Sequence, residues 1–243
     1  MSPRQSIRSN IKYQILLSFA GLLLIVALTV FPPTVTGDSP WRKAVIGSIF
    51  STFCLLGVLA VFSPNKCGTI LDRKKESGAS VSAVPHETVT VLRGHHPTCG
   101  KYSAHIFRIG NRTFCAACIG LLLGGLLALA GAAVYFFGDW RVAEPSSLMV
   151  LLGVVGVGFG LFQFKFRSLI RLSLNALFVL GALSFLIGID ESVHSLVFDL
   201  FVVCLIVFWL FTRISLSQWD HERICSVCTI ESCRIREQKK ERG

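Results

Sequence analysis

The chain has 243 residues, of which 52% are hydrophobic and only 16% are charged, and its formal net charge is +10. So large an apolar fraction with so little charge excludes an ordinary water-soluble domain, in which about 25% of residues are charged. A positive net charge is common in nucleic-acid-binding proteins, but here the basic residues are distributed around apolar segments.

Six apolar blocks follow one another along the chain, each 16 to 21 residues long and almost free of charge. A helix rises about 1.5 Å per residue, so each block can cross a hydrocarbon layer of roughly 30 Å, the shortest only barely. The sequence therefore predicts an all-α integral membrane protein with about six transmembrane helices. The blocks are 15–31, 44–62, 119–137, 148–164, 169–189 and 196–211.

Two of the blocks have an alternative interpretation. The first follows Arg4, Arg8 and Lys12, as in a secretory signal, but it is longer than the apolar stretch of about 7–15 residues in such signals. We therefore expect an uncleaved first helix. The fourth block contains four glycines, and its alternative interpretation is a buried or re-entrant segment.

In the third block, Gly120 and Gly124 have the spacing that lets another helix of the bundle approach closely.

The distribution of Lys and Arg predicts the topology, because these residues stay on the cytoplasmic face during insertion. Of 24 such residues, only Arg42, Lys43 and Arg141 lie in segments assigned to the outer face. Both termini are therefore expected in the cytoplasm and the protein in the cell membrane, crossing it several times. The excess basic charge is expected to contact anionic lipid headgroups, and no nucleic-acid partner is expected.

This topology divides the chain into four parts. The stretch 63–91 is rich in Ser, Gly, Ala and charged residues and predicts a flexible linker, in which 88–92 could form a short strand. The parts are 1–63, the N-terminal tail and first two helices; 64–118, a cytoplasmic linker and Cys/His-rich loop; 119–212, the other four helices; and 213–243, a cytoplasmic Cys-rich basic tail.

Seven of the nine cysteines lie in segments expected to be cytoplasmic. That compartment is normally reducing, so clustered cysteines there favour metal binding or thiol chemistry over structural disulfides. Two clusters each contain a Cys-x2-Cys pair, whose spacing lets two thiolates bind one tetrahedral zinc ion. The candidate zinc ligands are Cys99, His105, Cys115 and Cys118 before the third helix, and His221, Cys225, Cys228 and Cys233 in the tail.

Two arrangements of these ligands remain open. In the first, the two Cys-x2-Cys pairs share one zinc ion and clamp the tail to the loop. In the second, each cluster binds its own ion. The shared site is favoured because the tail has little apolar content with which to fold alone. Cys67 and His86 are expected to be solvent-exposed, and Cys54 and Cys204 to be packing residues within apolar blocks.

The segment around the first cluster resembles the DUF2085 type of small membrane proteins. In that family a Cys/His segment and an aromatic residue precede Cys-x2-Cys-x-Gly at the start of a transmembrane helix. Ala117 stands where the family usually has a basic residue. The resemblance implies membrane helices combined with a cysteine-rich segment, and no particular activity. It covers about 25 of the 243 residues and rests on Cys99, Phe107, Cys115, Cys118 and Gly120.

A second polar group is expected at the outer face, where Asp190, Glu191 and His194 lie between the fifth and sixth blocks. Asp199 follows within the sixth block, where an ionisable side chain is costly unless it is paired or in contact with water. One interpretation is a cluster that caps helix ends. The other is a metal or proton site open to the outside, with Asn175 as a polar neighbour.

Three functions are compatible with these features. The leading hypothesis is a membrane scaffold or regulatory protein whose structural zinc site joins loop and tail, with an unassigned protein partner. The second is a thiol-redox membrane enzyme, with Arg112 and Arg223 near its cysteines. The third is a small transporter or channel that uses Asp199 and the outer acidic cluster, although no internal repeat accompanies it.

Overall fold

The computed structural model of the protein describes residues 3–33, 40–62, 100–109, 112–138 and 145–226. This part of the chain is predominantly helical, which confirms the all-α part of the predicted fold class. Its six α-helices are α1 (Pro3–Val30), α2 (Arg42–Phe62), α3 (Ala116–Ala132), α4 (Ser146–Leu161), α5 (Ser168–Val193) and α6 (Leu196–Ser226).

Shorter elements connect or extend these helices. A 3₁₀-helix (Gly100–His105) leads into a hairpin of two antiparallel strands, β1 (Ile106–Ile109) and β2 (Arg112–Cys115), directly before α3. Beyond its last residue, α3 continues as a π-helical turn (Ala133–Phe137), and a 3₁₀ turn (Gln163–Lys165) separates α4 from α5.

Five of the six helices are long and apolar enough to cross a membrane. The bundle exposes large apolar side chains such as Leu23, Phe31 and Val197, which a lipid environment accommodates and water does not. The remaining helix, α4, has 16 residues and is about 24 Å long, so it is shorter than the five candidate membrane spans.

The central helix of the bundle is α5, which packs most extensively against α4 and α3. Within its most apolar stretch 61% of the residues are buried, compared with 22% for α1 and α2. The predicted close approach at Gly120 and Gly124 is confirmed, because a Cβ on either residue would collide with the α5 backbone, at Leu172 and Ala176 respectively. Glycine thus lets α3 lie directly against α5.

The helices extend beyond the apolar blocks at their polar ends. Helix α6 continues past Phe211 to Ser226, so residues 213–226 of the predicted tail are helical. Helix α5 continues to Val193, so Asp190 and Glu191 lie in its last turn, and His194 follows with a left-handed φ of 51°. The apolar blocks mark only the part of each helix that can lie in hydrocarbon. A helix can continue beyond that part, because its backbone hydrogen bonds do not require apolar side chains.

The predicted linker and the 88–92 strand lie outside the described residues.

Candidate functional site

Two buried polar clusters lie at opposite ends of the bundle. Helix α5 carries Arg171 near its start and Asp190 near its end, about 28 Å apart at the usual helical rise. We call the groups around them the loop cluster and the turn cluster. The loop cluster comprises His105, Gln163, Arg171, Asn175, Arg213 and Asp220, and the turn cluster comprises Arg42, Lys43, Tyr135, Asp190, Glu191 and Asp199.

The turn cluster joins four helices through short polar contacts. Nη1 of Arg42, at the start of α2, donates a hydrogen bond to Asp190 and another to Oδ2 of Asp199 at 2.5 Å. The Tyr135 hydroxyl, in the π-helical turn after α3, lies 2.5 Å from Asp190 Oδ2 and 2.7 Å from Glu191 Oε1. Arg42 is 1% exposed and both aspartates are 0% exposed, so these ion pairs are shielded from water.

The edge of the turn cluster is more open. Nζ of Lys43 lies 3.4 Å from Glu191 Oε1 and 3.5 Å from Asp190 Oδ2, and 4.4 Å from the centre of the Tyr135 ring. The Lys43 side chain is 35% exposed and that of Glu191 is 27% exposed, so solvent or headgroups screen this pair more than the Arg42 pairs. His194 is exposed and lies near enough to Glu191 for an electrostatic interaction.

The structure therefore brings Asp190, Glu191 and Asp199 together. It adds Arg42 and Tyr135, which the sequence analysis did not assign to this group. The expectation that Asn175 is their neighbour is wrong. Asn175 precedes Asp190 by 15 positions, which is about 22 Å along a helix, and its side chain belongs to the loop cluster.

The loop cluster joins the segment before α3 to α5 and α6. Nη1 of Arg171 hydrogen-bonds Nδ1 of His105, and Nη2 lies 3.1 Å from Oδ2 of Asp220. Because a guanidinium only donates, His105 accepts at Nδ1 and carries its proton on Nε2, which lies 3.6 Å from the same Asp220 oxygen. All three residues are at most 5% exposed. A small cavity lined by His105, Arg171 and Ser217 opens beside them.

A second buried arginine of the loop cluster lies next to the cysteines. Arg213 of α6 donates to the amide oxygen of Asn175 and lies 5.5 Å from the Phe178 ring centre. It is also close enough to Cys115 and Cys118 for an electrostatic interaction. A nearby positive charge stabilises the thiolate form of cysteine.

The hairpin explains the position of the first Cys-x2-Cys pair. Ile106 pairs with Cys115 across the two strands, so the chain at His105 comes close to the end of β2. Cys115 is buried and forms the N-cap of α3, and Cys118 is half-buried in the first helical turn. Backbone N–H groups at a helix N-terminus stabilise negative charge, so the local structure favours thiolates here.

The loop and the tail meet at His105. The His221 ring, near the end of α6, lies 5.7 Å from the His105 ring centre to centre, and Cys225 follows one helical turn later. Three of the predicted ligands, Cys99, Cys228 and Cys233, lie outside the described residues. Within the part of the chain that the structure describes, no three His, Cys, Asp or Glu side chains are arranged to hold a metal ion. Zinc binding stays a prediction.

Several residues of the loop cluster were missed by the sequence reasoning. The charge distribution assigns Arg171 to the connection after the fourth block and Arg213 to the cytoplasmic tail, yet both lie buried within helices. A usable signal existed for Arg171, which lies inside the fifth apolar block, where a charged side chain requires a partner. Asp220, its partner, gave no comparable signal because it lies in a polar part of the chain.

No protein-family model, curated protein or solved structure matches this chain. The resemblance to the DUF2085 type stays a prediction.

Proposed function

We propose that the protein is a membrane scaffold or regulatory protein in which a zinc site joins the loop before α3 to the C-terminal tail. In this proposal six helices cross the cell membrane, and the loop cluster and both termini face the cytoplasm. The observation that carries the proposal is the contact of His105 with Asp220 and His221. Loop and tail meet there although three helices, α3 to α5, and most of α6 lie between them in the chain.

The cysteines at the start of α3 are the proposed core of the metal site. Cys115 and Cys118 have the spacing of a zinc-binding pair, and the helix N-terminus favours their thiolate form. The remaining ligands are assigned to the tail, with Cys225 and Cys228 as the matching pair. A zinc ion with four thiolates has a net charge of about −2, and the buried Arg213 beside Cys115 and Cys118 offsets part of it.

The proposed metal is structural and not catalytic. Four protein ligands leave no open coordination position, so zinc supplies binding energy for ordering the tail against the loop. The ordered tail then presents a surface to which a cytoplasmic partner can dock. The contacts of His105 with α6 support this arrangement, because they already hold the end of α6 beside the loop.

Elemental analysis of the protein purified in detergent tests the proposal. We expect about one zinc ion per chain, lost in Cys115→Ser and in Cys225→Ser. Cys204→Ser is the matched control, because Cys204 is exposed on α6 within its apolar part. A zinc content that falls by half in each variant indicates two separate sites. Absence of zinc from every preparation contradicts the proposal.

A thiol-redox membrane enzyme is the second candidate. It is favoured by the same position of Cys115 and Cys118, since a helix N-terminus and the nearby Arg213 both stabilise an attacking thiolate. Thiol counting with a mass-tagged maleimide, before and after reduction, separates the two functions. A zinc-free protein with a reversible disulfide between these cysteines supports redox chemistry. Zinc-loaded thiols that resist mild oxidation support the metal site.

A small transporter or channel is the third hypothesis. Asp199 would be its central residue, but its buried contact with Arg42 supports a role in holding α6 against α2 more than a conduction path. Transport would be favoured if liposomes containing the wild-type protein show a flux that liposomes containing the Asp199→Asn variant lack.

A further inference from the structure

Asp190 and Asp199 differ in how many donors stabilise their carboxylates. Asp190 accepts hydrogen bonds from Arg42 and Tyr135 and lies 3.5 Å from Lys43. Asp199 accepts one from Arg42 at Oδ2, whereas its Oδ1 has no hydrogen-bond partner among the described residues. Both side chains are 0% exposed. A buried carboxylate oxygen without a donor costs free energy, so the site stabilises the Asp190 anion well and the Asp199 anion poorly.

The two carboxyl groups also lie close to each other. One nitrogen of Arg42 contacts both, and the two side chains are within hydrogen-bonding reach of one another. Two carboxylates at such a separation repel, and one guanidinium supplies a single positive charge. A proton between them replaces the repulsion with a hydrogen bond, in which Asp199 donates and Asp190 accepts.

We propose that Asp190 and Asp199 form a proton-binding site that holds one proton at neutral pH, carried by Asp199. With that proton, Arg42 and the two aspartates have no net charge in the interior of the bundle. Without it they carry one uncompensated negative charge, which is costly to bury. The site is distinct from the proposed zinc site, which lies at the other end of α5.

The surrounding charges support this assignment. Lys43 of α2 and Glu191 of α5 face the site and pair with each other at 3.4 Å, so together they add no net charge. Tyr135, after α3, contributes a neutral hydroxyl that lies against Asp190 and Glu191. His194, after α5, is exposed and nearest to Glu191. Among the residues that the structure describes, the charge left uncompensated is therefore that of the second aspartate.

Infrared spectroscopy of the protein in detergent tests the site, because the C=O stretch of a protonated carboxylic acid is separated from the bands of ionised carboxylates. We expect wild type at neutral pH to show such a band and Asp199→Asn to lack it. Glu191→Gln is the matched control and should keep the band, since Glu191 is part of the same cluster but pairs with Lys43. Asn has the shape of the neutral acid, so the Asp199→Asn variant should fold with a melting temperature near that of wild type.

Asp190→Asn tests whether the pair is required. In this variant Asp199 keeps its contact with Arg42 and loses the Asp190 carboxylate beside it, so it should ionise and the band should disappear. A wild-type spectrum without a protonated-carboxyl band at neutral pH overturns the proposal. So does a band that survives in Asp199→Asn. Stabilisation of wild type by sodium over choline, absent in Asp199→Asn, would assign a metal cation to the site and also overturn it.

Discussion

Gly156 of α4 lies directly against Gly181 of α5, since a Cβ built on Gly156 would come within 2.9 Å of the Gly181 Cα. The other close atom is the backbone carbonyl oxygen of Leu177 at 2.5 Å, so no flexible side chain can move aside there. This contact is one reason why α4, although short, packs so extensively on the central helix.

Gly156→Ala should therefore push α4 away from α5 and destabilise the protein by about 1–3 kcal/mol, the usual cost of overpacking. Thermal denaturation in detergent measures the effect. Gly158, two positions further along the same helix, has open space where its Cβ would be, so Gly158→Ala should change stability by less than about 0.5 kcal/mol. Equal losses in the two variants would contradict the close contact.

Arg42→Gln should be among the most damaging substitutions at the turn cluster. It removes the nearest and most buried counter-charge of the Asp190 carboxylate and leaves only the more distant Lys43. Breaking a buried ion pair from one side costs about 3–5 kcal/mol. Lys43→Gln is the comparison, and its half-exposed ion pairs should contribute less than about 1 kcal/mol. Adding Asp190→Asn to Arg42→Gln should restore part of the lost stability. If the double variant instead loses the sum of the two single-variant losses, the two residues do not interact.

Tyr135→Phe removes the hydroxyl that contacts Asp190 and Glu191 while keeping the ring in place. We expect a loss of about 1–3 kcal/mol, because a buried carboxylate loses a donor. The control is Tyr13→Phe, whose side chain is 63% exposed and whose loss should stay below about 0.5 kcal/mol. Denaturation curves recorded side by side decide between the two expectations, and an unaffected Tyr135→Phe protein would argue against the contact.

Asp220→Asn should loosen the contact between loop and tail. Arg171 and His105 then face a neutral amide in place of the buried carboxylate that they share, so backbone amides of the hairpin should exchange hydrogen for deuterium faster than in wild type. Glu222→Gln, two positions further on α6, changes an exposed carboxylate and should leave this exchange unchanged. Unaltered exchange in Asp220→Asn would mean that the cluster does not hold the hairpin.

The proposed topology predicts where reporters emerge. One fused after Gly243 and one inserted near Gly94 should both be active in the cytoplasm, because 21 of the 24 Lys and Arg residues fall on that face. A reporter inserted next to Arg141 should appear outside. If either of the first two is found outside, the zinc clamp between loop and tail is excluded together with the topology.

The helices were predictable because length and apolarity are what hydrocarbon requires of a segment that crosses it. The residues at which the helices end were less predictable. The last apolar block stops at Phe211, and the sequence pattern gave no reason to continue α6 to Ser226. The hairpin before α3 was not predicted either, because its eight strand residues lie in a segment interpreted only through its cysteines and histidines.

The polar clusters were predictable only where their members are neighbours in sequence. Asp190, Glu191 and Asp199 are close along the chain, whereas Arg42 is 148 positions away from Asp190 and enters the cluster through helix packing. Arg171 and Arg213 were interpreted by a rule that counts charges per loop, and that rule contains no information on burial. Tertiary contacts of this kind follow from the packing of the helices and not from local patterns.

The length of α6 links the two ends of the protein. Its 31 residues extend about 46 Å, well beyond a hydrocarbon core of about 30 Å. Asp199 sits in its first turn and Asp220 near its last, so one unbroken rod touches both clusters. Because α6 is continuous, a rigid tilt or rotation of this helix would move the Asp199 contact with Arg42 and the Asp220 contact with His105 together.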